Sequence, residues 1–151
     1  MPSDYYEGDV VLEDLLNGAG RSVVFGLAGI GIMAVGFVMV DLLTPGKLRD
    51  LIWRDRNPNA ALLLAANQLG VAIIVFTAVF TSYDDFVQGL ASTVIFGIIG
   101  VAIMGFAFMV LDWLTPGKLG EVICTPDRHP GATVSAASHF GAALIVAACI
   151  A

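Results

Sequence analysis

Four apolar stretches of about twenty residues, at 22–43, 60–80, 91–114 and 132–151, leave this 151-residue chain few folds to choose from. A helix of about twenty apolar residues covers roughly the 30 Å of hydrocarbon in a bilayer. Charged residues make up only 13% of the chain and hydrophobic ones 58%, against about a quarter and a half in a soluble domain. Too little polar sequence remains to cover a soluble core. The expected fold is therefore all-α and integral to the membrane, with four transmembrane helices. The first twenty residues hold Asp4, Glu7, Asp9, Glu13 and Asp14 and no basic residue, unlike the positive start of a signal peptide. Cys124 and Cys149 fall on opposite sides of the expected membrane and carry no metal-ligand spacing, so neither a disulfide nor a metal site is expected.

Sliding the sequence on itself by 71 residues brings two segments into register without a gap. Phe25-Gly26, Gly29, Ile32-Met33, Phe37 and Asp41 fall on Phe96-Gly97, Gly100, Ile103-Met104, Phe108 and Asp112. Six consecutive identities follow, Leu43 to Leu48 on Leu114 to Leu119, and then Ala65-Ala66 and Gly70 meet Ala136-Ala137 and Gly141. Glu13-Asp14 and Gly18 likewise meet Asp84-Asp85 and Gly89. The organisation read from this is an acidic tail at 1–11, a first repeat at 12–80 and a second at 81–151. Two crossings per unit make the copies parallel, related by a pseudo-two-fold axis along the membrane normal.

Lys47, Arg49, Arg54 and Arg56 lie between the first two spans, and Lys118 and Arg128 between the last two. The positive-inside rule places both of these loops in the cytoplasm and both termini outside. The whole net charge of −6 then lies outside, with Glu13, Asp14, Asp84 and Asp85 as paired acids that attract cations or simply form a solvated face.

The doubled Thr44-Pro45-Gly46-Lys47 and Thr115-Pro116-Gly117-Lys118 motifs have a local reading. Threonine suits an N-cap and proline the first helical position, so a new helix is expected to start there. Leu48, Leu51 and Ile52, like Leu119, Val122 and Ile123, then share one face of a short cytoplasmic interfacial helix, with Lys47 and Lys118 reaching for headgroups. The glycine spacing is not that of a phosphate-binding P-loop. Gly26, Gly29, Met33 and Gly36, repeated as Gly97, Gly100, Met104 and Ala107, make a small-residue stripe suited to close helix packing between copies or between subunits. A narrow pore lined by glycine backbone is the other reading.

Polar groups inside a span are costly and so mark functional candidates. Asp41 and Asp112 stand near the inner ends of the first and third spans, where they pair with Lys47, Arg49 or Lys118 or serve a function. Deeper lie Asn67-Gln68 and, in register, Ser138-His139. His139 suits a proton relay or gate, and the plainer expectation is a Gln68–His139 interhelical hydrogen bond. No catalytic triad, metal cluster or nucleotide loop is present, so no enzyme and no cofactor are expected, and the scattered basic residues argue against nucleic acid.

The Asp41-Leu42-Leu43-Thr44-Pro45-Gly46-Lys47-Leu48 stretch, its copy from Asp112 to Leu119, and the Ala65-Ala66 and Ala136-Ala137 segments resemble the bacterial membrane family known as domain of unknown function 350, or UPF0719. The likeness runs from about Glu13 to the end. It implies two repeats of two spans in a bacterial inner membrane and no established activity. The family's members are often encoded beside polyamine-type synthases and membrane-stress proteins, which implies envelope maintenance or cation handling. Two functional readings stand. One is a homo-oligomer in the lipid bilayer that conducts cations or protons. The other is a non-conducting scaffold of the envelope or of a larger complex, with membrane or cytoplasmic protein partners.

Overall fold

A computed structural model describes residues 3–82, 85–115 and 118–151, with side chains described from Val11 onward. Among them are four long helices and two short ones: α1 (Ser3–Leu43), α2 (Leu48–Trp53), α3 (Pro58–Thr81), α4 (Phe86–Leu114), α5 (Leu119–Ile123) and α6 (Pro130–Ile150). The long ones hold spans at Val11–Leu43, Pro58–Thr81, Phe86–Leu114 and Pro130–Ile150 that are long and apolar enough to cross a membrane. Each begins earlier than apolarity alone predicts, because caps set the ends. Asn57 Oδ1 accepts from the N–H groups of Asn59 and Ala60 ahead of Pro58, and Asp85 Oδ1 accepts from Gln88. His129 Nδ1 accepts from Gly131 ahead of Pro130. Residues 1–11, expected as a separate tail, enter α1 at Ser3, since no proline interrupts the chain between Pro2 and Pro45.

The bundle is apolar on its outside. Leu27, Phe76, Phe80, Phe106 and Ile145 are each more than 60% exposed, which suits lipid and not water. Inside, one cluster at mid-span gathers Ile32, Val71, Ile74, Val101, Met104, Ala143 and Val146. A second, at the end bearing the short helices, joins Val40, Leu48, Ala60, Leu63, Phe108, Leu119 and Ile123.

Contacts recur 71 residues apart. A Cβ on Gly29 would lie 3.2 Å from Val75 Cγ1, and one on Gly100 would lie 3.4 Å from Val146 Cγ1. Asp41 Oδ1 accepts from Leu48 N–H at 2.7 Å, and Asp112 Oδ1 from Leu119 N–H at 2.6 Å. The relation between the halves is not the expected two-fold. Such an axis would make the α1–α6 pair equivalent to the α3–α4 pair. Yet α3 packs against α4, while α1 makes no comparable contact with α6. The two halves sit side by side, α1 beside α4 and α3 beside α6, with α3–α6 the most extensive contact.

Candidate functional site: the polar groups within the bundle

The inner ends of α1 and α4 carry Asp41 and Asp112, half-buried. Neither forms an ion pair with Lys47, Arg49 or Lys118 among the described residues. Each carboxylate instead caps the first N–H of the short helix seven residues on. That corrects the expected role of Thr44. The helix begins at Leu48, four residues past Thr44, which continues α1 through its N–H to the Val40 carbonyl at 3.0 Å. Its buried hydroxyl has no hydrogen-bond partner. Pro45 cannot continue α1, and Gly46 takes a φ of 97°, a left-handed conformation that glycine adopts without strain. Thr115 bonds back to the Leu111 carbonyl through both its N–H and its Oγ1. Pro116 and Gly117 lie outside the described residues, as does Asp84.

Lys47 and Lys118 are exposed, but the apolar faces of α2 and α5 are not free. Leu48 and Ile123 are fully buried and Leu119 is nearly so, all within the inner core cluster. Partners therefore have no open leucine face to dock on there. Glu13, Asp14 and Asp85 are exposed at the opposite end.

At membrane depth, Asn67 is fully buried and its Nδ2 donates to the Gly36 carbonyl at 3.1 Å, tying α3 to α1. Gln68 faces the same turn: a Cβ on Gly36 would lie 3.3 Å from Asn67 Nδ2 and 3.8 Å from Gln68 Oε1. His139 is 1% exposed, and its ring packs edge-on to Phe108 at 5.4 Å. Its Nδ1 lies 3.1 Å from the Ser135 carbonyl one turn back on its own helix. A carbonyl only accepts, so Nδ1 carries the hydrogen and a neutral ring leaves Nε2 as a bare acceptor. The expected Gln68–His139 bond is not made, because Nε2 has no partner. Ser135 Oγ, Asn67 Oδ1 and Gln68 Oε1 are buried without partners too. Ser138 is exposed, so the polar pair on α6 is Ser135 with His139, one turn apart on the inward face.

The glycines divide. Gly29 and Gly36 take Val75 and Val71 from α3, Gly97 takes Ile32 from α1, and Gly100 takes Ile74 from α3. Gly26 faces nothing within 4 Å.

The sequence gave no signal for Asn57 and Asn59. Asn59 Nδ2 donates to the carbonyls of Thr125 (3.1 Å) and Asp127 (2.8 Å), while Oδ1 accepts from His129 N–H at 3.0 Å. Asn57 Nδ2 also donates to the Thr125 carbonyl. Only their position before Pro58, an N-cap pattern, could have drawn attention. Beside them Cys124 Sγ donates to the Pro45 carbonyl at 3.0 Å, and burial, with Glu121 adding its charge, pushes this thiol above its ordinary pKa.

The family profile described as Domain of Unknown Function (DUF350) matches residues 14–150. The chain belongs to the DUF350 family. A UPF0719 transmembrane protein of Mycolicibacterium paratuberculosis is 37% identical over 141 residues, covering 93% of this chain and 89% of the relative. UPF0719 transmembrane protein Mb2631 of Mycobacterium bovis and MT2674.1 of Mycobacterium tuberculosis are each 36% identical over 143 residues, with 95% and 94% covered. No solved structure matches. With its four long apolar helices, this DUF350 chain is a multi-pass membrane protein.

Proposed function

We propose that this chain is a non-enzymatic protein of a bacterial inner membrane that passes protons or small cations across the bilayer as a homo-oligomer. It is read as two parallel copies of one two-span unit, both termini outside, with α2 and α5 at the cytoplasmic interface. The supporting observation is the interior polar set: His139 Nε2, Ser135 Oγ, Asn67 Oδ1 and Gln68 Oε1 are buried at membrane depth without partners. Each such group costs about 1–3 kcal/mol, which a purely structural core avoids by using apolar residues. A neutral imidazole with an open acceptor can take up and return a proton. The exposed acids Glu13, Asp14 and Asp85 raise cation concentration at the outer mouth.

The core of one chain leaves little room for a path. A Cβ on Gly70 would lie 2.8 Å from both Ala143 Cβ and Met104 Cε. Conduction therefore runs through an assembly. That tight core also supports the second reading, a non-conducting scaffold of the envelope. Liposome flux separates them. Protein-dependent flux of protons, monovalent cations or polyamines that falls at least tenfold in His139→Ala supports conduction. Lack of flux for all three classes leaves the scaffold.

A further inference from the structure

The contact between the two halves is not self-complementary. From α1, Phe25, Ile32 and Met39 project at seven-residue intervals. On α4, Gly89, Gly97 and Gly105 receive them at eight-residue intervals. A Cβ on these glycines would lie 3.2 Å from Phe25 Cζ, 2.6 Å from Ile32 Cδ1 and 3.1 Å from Met39 Sδ. From α3, Ile74 fills the space over Gly100 in the same way, its Cδ1 2.7 Å from where a Cβ would stand. The first half supplies the side chains and the second half supplies the gaps.

Moved by 71 residues, both sets recur. The side chains become Phe96, Ile103, Val110 and Ile145, and the gaps become Gly18, Gly26, Ala34 and Gly29. Phe25, Ile32 and Ile74 are no more than 5% exposed, whereas Phe96, Ile103, Val110 and Ile145 are 39%, 43%, 39% and 68% exposed. A Cβ on Gly18 or Gly26 would meet nothing within 4 Å. Where Gly105 has become the larger Ala34, the long Met39 has become the shorter Val110, so the fit is kept. The second half thus carries unfilled side chains and the first half unfilled gaps. A heterologous contact of this kind propagates from copy to copy.

We infer that copies of this chain pack head to tail, Phe96, Ile103 and Val110 of one seating on Gly18, Gly26 and Ala34 of the next, as a repetition of the contact inside the chain. This rests on the reading of the protein as a membrane homo-oligomer and supplies its interface. The array curves. An alanine methyl on a glycine sets the α3–α6 spacing at Gly70 and Ala143, while isoleucine, phenylalanine and methionine hold α1 and α4 apart. A curved head-to-tail array closes into a ring, here with α3 and α6 innermost. Contact partners lie five to seven residues out of the 71-residue register, so helices of copies sharing one membrane plane tilt from its normal, ordinarily by about 20°. At the cytoplasmic end the contact opens, because Arg49 stands where Gly120 takes Pro45 and Pro130 stands where Asn59 clasps the loop.

The test co-expresses two tagged full-length chains, one Gly26→Cys and one Ile103→Cys, both with Cys124→Ser and Cys149→Ala. Oxidation in native membranes is expected to give a disulfide-linked pair of unlike chains, as Ile32→Cys with Gly97→Cys closes within one chain. Closure of the in-chain control, with cross-linking of the unlike chains no faster than a lipid-facing Leu27→Cys and Phe106→Cys pair, overturns the inference. Gly26→Leu is expected to keep the fold and reduce the assembly to monomers by native mass. An assembly that survives Gly26→Leu and fails to cross-link discards this interface and keeps the oligomer. A monomeric wild type discards both.

Discussion

Asn59 uses both ends of its side-chain amide, donating to Thr125 and Asp127 and accepting from His129, within a residue 2% exposed. Asn59→Ala leaves those backbone groups unpaired beneath the surface, each at about 1–3 kcal/mol. Thermal unfolding in detergent should show a loss of about 2–4 kcal/mol by that measure. Asn57→Ala, which removes a cap, should cost about 1 kcal/mol. Asp41→Ala and Asp112→Ala should each cost about 0.5–2 kcal/mol as lost caps, read as faster amide exchange at Leu48 or Leu119. For Cys124, a raised pKa means less thiolate at pH 8 than in an exposed cysteine. Maleimide labelling should be slow there and still accelerating above pH 9, and Glu121→Gln should speed it. A rate that levels off near pH 9 would contradict this. The repeat made the aspartates visible but not their partners, since capping from seven residues back has no local signature. Asn59 was invisible because its partners lie 66 to 70 residues away and its counterpart in the second repeat is a proline.

Between α1 and α4, one sequence context has two outcomes. Gly26 and Gly97 each follow a phenylalanine in the repeat, yet Gly97 is filled by Ile32 and Gly26 is open. Gly97→Leu should overpack the bundle, at about 1–3 kcal/mol, whereas Gly26→Leu should leave the stability of one chain nearly unchanged. Equal losses of melting temperature for both variants would argue against the side-by-side arrangement of the halves. The small-residue stripe was legible as packing surface, but periodicity alone does not say which neighbour each glycine meets. Gly29 and Gly36 serve α3, and Gly97 and Gly100 serve the join between halves. The short helices were legible from the Thr-Pro-Gly-Lys stretch, while their start at Leu48 depends on a carboxylate outside the motif.

For the whole molecule, the number and rough limits of the spans followed from apolar run length, because little else in so short a chain could be buried. The mutual placement of the two halves did not, since a tandem repeat fixes parallel direction and leaves the relating operation open. The proposed orientation puts the end of α6 outside, so a periplasm-dependent reporter after Ala151 should be active; a reporter active only in the cytoplasm would reverse both faces. α1 is twelve residues longer than α4 while ending at the equivalent position. At 1.5 Å per residue the excess is about 18 Å, and it stands at the end away from the short helices. In a closed assembly only alternate outer helices carry this extension. The outer rim would be a palisade with every second post missing, its posts bearing Glu13 and Asp14 and its gaps wide enough to admit hydrated ions from the side.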